Sequence, residues 1–123
     1  MAGGRPTTLT PDVREKILTA IRAGNYRHVA ARWAGVSPRT LQHWCKLGRD
    51  AKRGVMEEFL RALLKAEQDA EILMVGLVFK AAASDAKYAE WWLERKFPER
   101  WGRDTARIRA LERRLDDLER PAP

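Results

Sequence analysis

Hydrophobic residues recur at helical spacing along most of this chain, and residues typical of helix ends divide it into segments. Thr10-Pro11 is typical of a helix start, because threonine caps free backbone amides and proline fits the first helical position. Apolar residues then recur three or four positions apart, and Gly24 supplies an end. The pattern predicts a first helix over about 11–23.

A second, shorter helix is predicted over 26–34, followed by a tight turn at Gly35. Three apolar residues, Val29, Ala30 and Trp33, are predicted to lie on one side of it, the side that packs. Alanines near them allow another helix to approach closely, and glycine adopts the left-handed backbone that a sharp turn requires.

The third helix begins at Ser37-Pro38 and is predicted to end at Gly48. This order of helix, glycine turn and capped helix is typical of a helix-turn-helix DNA-binding domain, predicted over 10–48. Three residues are predicted to point inward: Val36, Leu41 and Trp44. The outer face, at positions i, i+3, i+4 and i+7, then carries Arg39, Gln42, His43 and Lys46.

All four outer side chains are predicted DNA contacts. Arginine can read guanine and glutamine can read adenine, whereas His43 and Lys46 are suited to phosphate. The other interpretation is an ordinary three-helix core with a solvated charged face.

The distribution of charge favours nucleic acid as a partner. The net charge is +7, yet residues 1–55 hold 11 Lys/Arg against 3 Asp/Glu, whereas 56–123 hold 13 against 14. A basic half joined to a neutral, strongly patterned half indicates a head that binds duplex DNA and a body that assembles.

Two flanks of the predicted domain are also basic. In the arm 1–9, Gly4-Arg5-Pro6 resembles the centre of an AT-hook, so Arg5 is a predicted minor-groove contact; a solubilising tail is the alternative. The segment 49–54 is predicted to be a linker. Its basic residues, Arg49, Lys52 and Arg53, either follow the phosphate backbone or are simply solvated.

One long helix is predicted over 55–83, within a region 55–103 that we expect to mediate self-association. The run 72–79 is apolar on all sides and must be covered on every side. Gly76 costs a helix about 1 kcal/mol relative to alanine, which indicates a close helix contact there. The predicted assembly residues in this region are Phe59, Leu63, Leu73 and Leu77.

A further helix is predicted over about 86–96, and an amphipathic one over about 104–120 within the region 104–123. In the last helix, heptad positions a, d, a and d are occupied by Ile108, Leu111, Leu115 and Leu118. Arg107 and Arg114 take g, and Glu112 and Glu119 take the following e, as a parallel coiled coil requires. This stripe either adds to an assembly or docks on the chain's own helices.

Several classes of protein are disfavoured. No apolar run reaches membrane-spanning length and no signal peptide is recognisable, so a cytoplasmic protein without membrane contact is expected. A single cysteine, Cys45, with two histidines is too little for a zinc site, and no phosphate loop or nucleophile with a base is present. The chain is predicted to be all-α, not an enzyme, and without a metal or cofactor.

The order of these parts resembles a phage terminase small subunit. The resemblance rests on the opening GRPTTLTP, the predicted helix-turn-helix ending LQHWCKLG, and the segment WWLERKFPERWG at 91–102, and it covers roughly 4–103. It implies a homo-oligomeric ring that selects viral DNA for the ATP-driven large terminase subunit, in the host cytoplasm. Larger members carry a C-terminal β-barrel, whereas here only the helix 104–120 and a short tail follow. The mode of contact with the large subunit is therefore in doubt.

Two other functions stay open from the residues alone. One is a dimeric helix-turn-helix transcription regulator on a palindromic site, and the other is the DNA-binding subunit of a transposase. The number of chains in the native particle distinguishes a dimeric regulator from a ring.

Overall fold

The computed structural model describes residues 8–122, apart from the side chain of Thr105, and all regular structure in that part of the chain is helical. The all-α prediction is therefore confirmed. The helices, in chain order, are α1 Pro11–Arg22, α2 Arg27–Trp33, α3 Pro38–Asp50, α4 Val55–Ala82, α5 Ala86–Lys96, α6 Pro98–Trp101 and α7 Thr105–Glu119.

The predicted helix starts are confirmed by their caps. The Thr10 hydroxyl accepts a hydrogen bond from the Val13 amide at 3.2 Å, and the Ser37 hydroxyl accepts one from the Thr40 amide at 3.1 Å. Each cap satisfies a backbone donor that has no partner within its helix, which fixes where the helix begins. The two helices therefore start where the Thr-Pro and Ser-Pro pairs predict.

The chain divides into two compact units, one ending at Met74 and the other beginning at Val75. This division differs from the predicted one, which placed a linker at 49–54 between head and body. The first unit has a single apolar core to which α1, α2, α3 and the first part of α4 all contribute. The fully buried Phe59 and Leu63 of α4 belong to that core, so they are covered by their own chain rather than by a neighbour.

Gly48 lies inside α3 rather than at its end, because the helix continues to Asp50. A Cβ atom at Gly48 would lie 2.5 Å from the Met56 carbonyl oxygen and 2.7 Å from the Leu60 Cβ. The glycine therefore marks a point where α3 and α4 approach each other closely. Apart from its chain neighbours and the backbone of its own helix, no described atom lies within 4 Å of a Cβ built at Gly76, where the sequence had indicated a close contact.

The buried side of α2 is formed by small residues. Ala30 and Ala31 are completely buried, whereas Val29 is 41% exposed and Trp33 is 61% exposed. The predicted buried position of Ala30 is therefore confirmed, whereas the prediction that Val29 and Trp33 lie on the same buried side is wrong. Helices packed at the short distance that alanine permits have no room for an indole between them.

The second unit contains no described side chain that is fully buried. Three of its aromatic residues form a small cluster, in which Trp92 meets Phe79 and Phe97 edge to face at 5.3 and 5.7 Å. The break predicted after Lys96 is present at Phe97, and Pro98 then opens the short α6, which the sequence did not predict. This unit buries little apolar surface within itself.

Candidate nucleic-acid interface

The outer side of α3 carries a row of polar and basic side chains above a buried apolar side. Arg39, in the first turn of the helix, is exposed, as are Gln42, His43 and Lys46. On the opposite side of the helix, Leu41, Trp44 and Cys45 are buried, and Trp44 meets Phe59 of α4 edge to face at 6.3 Å. This inner side anchors α3, so the polar row is presented to solvent by a fixed helix.

The connection between α2 and α3 holds the start of α3 in place. Gly35 adopts φ +86°, a left-handed conformation that strains other residues. The amide of Val36 then donates to the Ala31 carbonyl at 2.9 Å, and the Val36 side chain is buried. The Ser37 cap follows directly, so the chain reverses and α3 begins within five residues of the end of α2.

Arg49 is part of the same row, because α3 extends past the predicted helix end. It lies seven residues, two turns, after Gln42, and both side chains line a groove of about 400 Å³ between α2 and α3. The sequence had assigned Arg49 to a linker, since a glycine such as Gly48 often marks the end of a helix. Only the contact between α3 and α4 shows that this glycine has a packing role.

His28 lines the same groove and was missed by reasoning from the sequence. It is exposed near the start of α2, and its ring stacks on that of Tyr26 at 5.6 Å and 13°. No motif marks it, since it is ten residues away from Pro38 and approaches α3 only through folding. An imidazole and a phenol at this position add hydrogen-bonding groups beside the basic row.

Arg27 also lines the groove, but its charge is matched from within the chain. Its Nε and Nη2 donate to the two Glu67 carboxylate oxygens at 2.9 and 2.7 Å, in a bidentate pair between α2 and α4. The hydrogen bond to Glu67 raises the pKa of Arg27. Arg27 thus ties α2 to α4, whereas Arg49, the other arginine that lines the groove, forms no ion pair with the described residues.

The thiol of Cys45 faces the inner side of this groove. Burial raises the pKa of the Cys45 thiol, against the opposing effect of Arg27 and Arg49 nearby. A protonated, buried thiol is a poor nucleophile, so the groove holds a neutral sulfur beside its cations.

Positive charge is concentrated on α3 and the residues after it. Residues 38–54 hold five Lys/Arg and one Asp, and Lys52 and Arg53 are exposed in the stretch before α4. Across the whole unit that ends at Met74 the balance is 13 Lys/Arg against 8 Asp/Glu, because the first part of α4 is acidic. Arg5, the predicted minor-groove contact, lies outside the described residues.

The remaining predicted assembly residues have different surroundings from Phe59 and Leu63. Leu73 and Leu77 of α4 are exposed, as are the four stripe residues of α7, Ile108, Leu111, Leu115 and Leu118. These six apolar side chains are therefore available to another molecule.

Comparison of the chain with protein-family models, curated proteins and solved structures finds no match. Within residues 8–122, no helix combines the length and apolar character that crossing a membrane requires. The geometry of α3 and its surroundings is therefore the main support for a function.

Proposed function

We propose that the chain binds duplex DNA through the outer face of α3, with α2 and α3 acting as a helix-turn-helix pair. The observation that carries this proposal is the two-sided character of α3. Its outer row is basic and polar, whereas its other side is locked into the core by Leu41 and Trp44. A single helix fits the major groove of B-DNA, where arginine and glutamine can form bidentate contacts with bases.

The side chains divide by the contact that each can make. Arg39 and Gln42, in the first half of α3, are the base-reading candidates, since recognition helices contact base edges near their N-terminal ends. His43, Lys46 and Arg49 follow further along the helix and suit phosphate, as do Lys52 and Arg53 after it. In this arrangement affinity is largely electrostatic and sequence preference comes from two side chains.

We further propose that the chain is a small terminase subunit, a homo-oligomer that presents viral DNA to an ATP-driven large subunit. The resemblance of the segment 91–102 supports this assignment. So does the second unit, where exposed apolar residues and the absence of a fully buried described side chain favour burial against further copies. A dimeric transcription regulator is the competing function, and the native mass separates the two.

The DNA-binding proposal is tested by replacing Arg39, Gln42 and Lys46 with alanine together. We expect the dissociation constant for duplex DNA to rise at least about tenfold, since one good base contact is worth about 1–3 kcal/mol. The slope of log K against log salt should also become shallower, by about one for each phosphate that the variant no longer neutralises. Fluorescence anisotropy with labelled duplex at several salt concentrations measures both.

The chain offers a matched control on α4. Replacing Arg61, Lys65 and Gln68 with alanine removes the same three side-chain types and the same charge. It breaks the exposed pair of Lys65 with Asp69 and the pair of Arg61 with Glu57, in which the arginine is exposed and the glutamate half-buried. Ion pairs near the surface contribute little to stability. We expect this control to bind DNA nearly as well as the parent chain. Equal weakening in both variants, with normal melting, would show that α3 has no special role.

A further inference from the structure

The heptad stripe of α7 is open in the structure. Its residues Ile108, Leu111, Leu115 and Leu118 are between 49% and 83% exposed. Of the two possibilities that the sequence left open, docking on the chain's own helices is seen among the described residues only near Ile108, where α6 lies beside the start of α7. A stripe of four apolar side chains at a and d spacing is the seam that a second helix covers in a coiled coil.

Among the described residues of the second unit, α6 is the neighbour of α7, and it lies against the first turns of α7. The Arg109 Nη2 donates to the Glu99 carbonyl at 2.8 Å, and Pro98 and Glu99 flank Ile108 and Glu112 across a shallow groove. The leucines of the seam, Leu111, Leu115 and Leu118, are all exposed. The open part of the seam therefore extends over about two turns of α7.

Charges flank the seam at g and e positions, and the spacing from g to the following e does not pair these residues with each other within one helix. Arg107 and Glu112 are five residues apart, as are Arg114 and Glu119, and residues five apart on a helix do not face each other. In the part of the chain that the structure describes, none of these four side chains forms an ion pair. Their charges are therefore available to a partner.

The same pattern selects the direction of the partner. In a parallel coiled coil each g position faces the following e position of the other helix, which sets Arg107 against Glu112 and Arg114 against Glu119. An antiparallel pair would instead set arginine against arginine and glutamate against glutamate. A second copy of this chain, in parallel and in register, is the occupant that complements both the apolar seam and its charges.

We propose that α7 pairs in parallel with α7 of a second copy, through Ile108, Leu111, Leu115 and Leu118. Two heptads hold helices together weakly, so the pairing rests on the self-association proposed above, which raises the effective concentration of the α7 helices. It does not depend on DNA binding. Its role is to join the C-terminal helices of neighbouring subunits two by two.

The pairing is tested by disulfide cross-linking of the full chain. Leu118→Cys places a thiol at a d position of the seam, and we expect mild oxidation to join two chains through residue 118. Arg113→Cys, at position f on the far side of α7, is the matched control and should cross-link much less. The parent chain, whose only cysteine is the buried Cys45, should not cross-link.

Direction is tested by mixing chains of different mass that carry Ile108→Cys and Leu118→Cys. Ten residues separate these sites by about 15 Å along the helix, beyond the reach of a disulfide in a parallel pair. We expect 108–108 and 118–118 products. A predominant 108–118 product would show antiparallel pairing and overturn the proposal.

Charge specificity is tested in the Leu118→Cys background. One variant carries Arg107→Glu and Arg114→Glu, and the other carries Glu112→Arg and Glu119→Arg. Each variant alone would have like charges across the seam, so its cross-linking should fall to the level of the Arg113→Cys control. Mixing the two variants should restore cross-linking, with one chain of each variant in the product.

The outcomes separate this pairing from the proposed function. Cross-linking that ignores the charge changes, or fails at residue 118 while light scattering still shows an oligomer, overturns the α7 pairing and leaves the proposed function standing. A monomer by light scattering would instead contradict the proposed assembly itself.

Discussion

Two glycines of similar appearance in the sequence have opposite roles in the structure. Gly48 and Gly76 both lie inside helices, yet only Gly48 has another helix against its α-carbon. The sequence predicted a helix end at the first and a close contact at the second, because a glycine within an apolar pattern is compatible with either. Which interpretation applies depends on what folds against the glycine, and local sequence does not contain that information.

Alanine substitution separates the two roles. We expect Gly48→Ala to lower the free energy of unfolding by about 1–3 kcal/mol, since a new Cβ meets backbone of α4 that cannot move aside easily. Gly76→Ala should instead be neutral or stabilising by up to about 1 kcal/mol, because the site is open and alanine favours the helix. Urea unfolding followed by circular dichroism measures both. A destabilised Gly76→Ala chain would indicate that a second copy packs closely there.

Cys45 gives the first unit a dependence of stability on alkaline pH. Because burial raises the pKa of the Cys45 thiol, the folded chain holds this proton more tightly than the unfolded chain does. The stabilisation is fully present below the ordinary thiol pKa of about 8.5 and is lost as pH rises above it. We expect the free energy of unfolding to fall more steeply between neutral and alkaline pH in the parent chain than in Cys45→Ala. Parallel pH profiles for the two chains would contradict this.

At the scale of elements, α4 shows what an apolar pattern can and cannot reveal. One stripe runs along the helix at spacings of three and four, through Phe59, Leu63, Ala66, Ala70, Leu73 and Leu77. The first four are buried in the first unit, and the last two are exposed. The sequence correctly predicted the helix and the stripe. It assigned the large residues of the stripe to assembly, because periodicity reports which side is apolar and not which molecule covers it.

Neighbouring leucines on α4 test this division. Leu63 is fully buried and Leu64 is 44% exposed, so the same substitution at adjacent positions has different consequences. We expect Leu63→Ala to cost about 2–5 kcal/mol in unfolding free energy, as truncations in a packed core do. Leu64→Ala should lie within about 0.5 kcal/mol of the parent chain. Similar costs at both positions would show that the first part of α4 is not part of this core.

The candidate interface was more predictable than the core beneath it. Helix caps and the i, i+3, i+4, i+7 spacing located the row from Arg39 to Lys46, and the structure places these side chains on the outer side of α3. Arg49 was assigned to the wrong element because the end of α3 depends on packing against α4. His28 was missed because its approach to α3 requires a chain reversal. Local signals therefore located the face, whereas contacts between distant residues determined its extent.

For the whole molecule, the decisive quantity is the number of chains in the native particle. The first unit has a buried core of its own, whereas the second presents exposed apolar residues, among them Leu77. Leu73, one turn earlier on the same helix, is exposed as well. A surface of this kind is stabilised by burial against further copies. We therefore expect light scattering of the parent chain to give a mass larger than a dimer, which favours the ring of a terminase small subunit; a strict dimer would favour the transcription regulator.

Charge placed at the exposed residues Leu73 and Leu77 should dissociate the expected oligomer without unfolding the first unit. In the variant with Leu73→Glu and Leu77→Glu, like carboxylates would have to be buried where copies meet, so we expect the mass to fall towards that of a monomer. Leu64→Glu, at an exposed leucine on the same helix, is the control and should keep the parent mass.

DNA affinity should fall in the dissociated variant, because linked heads bind one duplex more tightly than single heads do. A variant that keeps the parent mass would show that Leu73 and Leu77 lie outside the assembly interface, and a monomeric parent would contradict the assembly altogether.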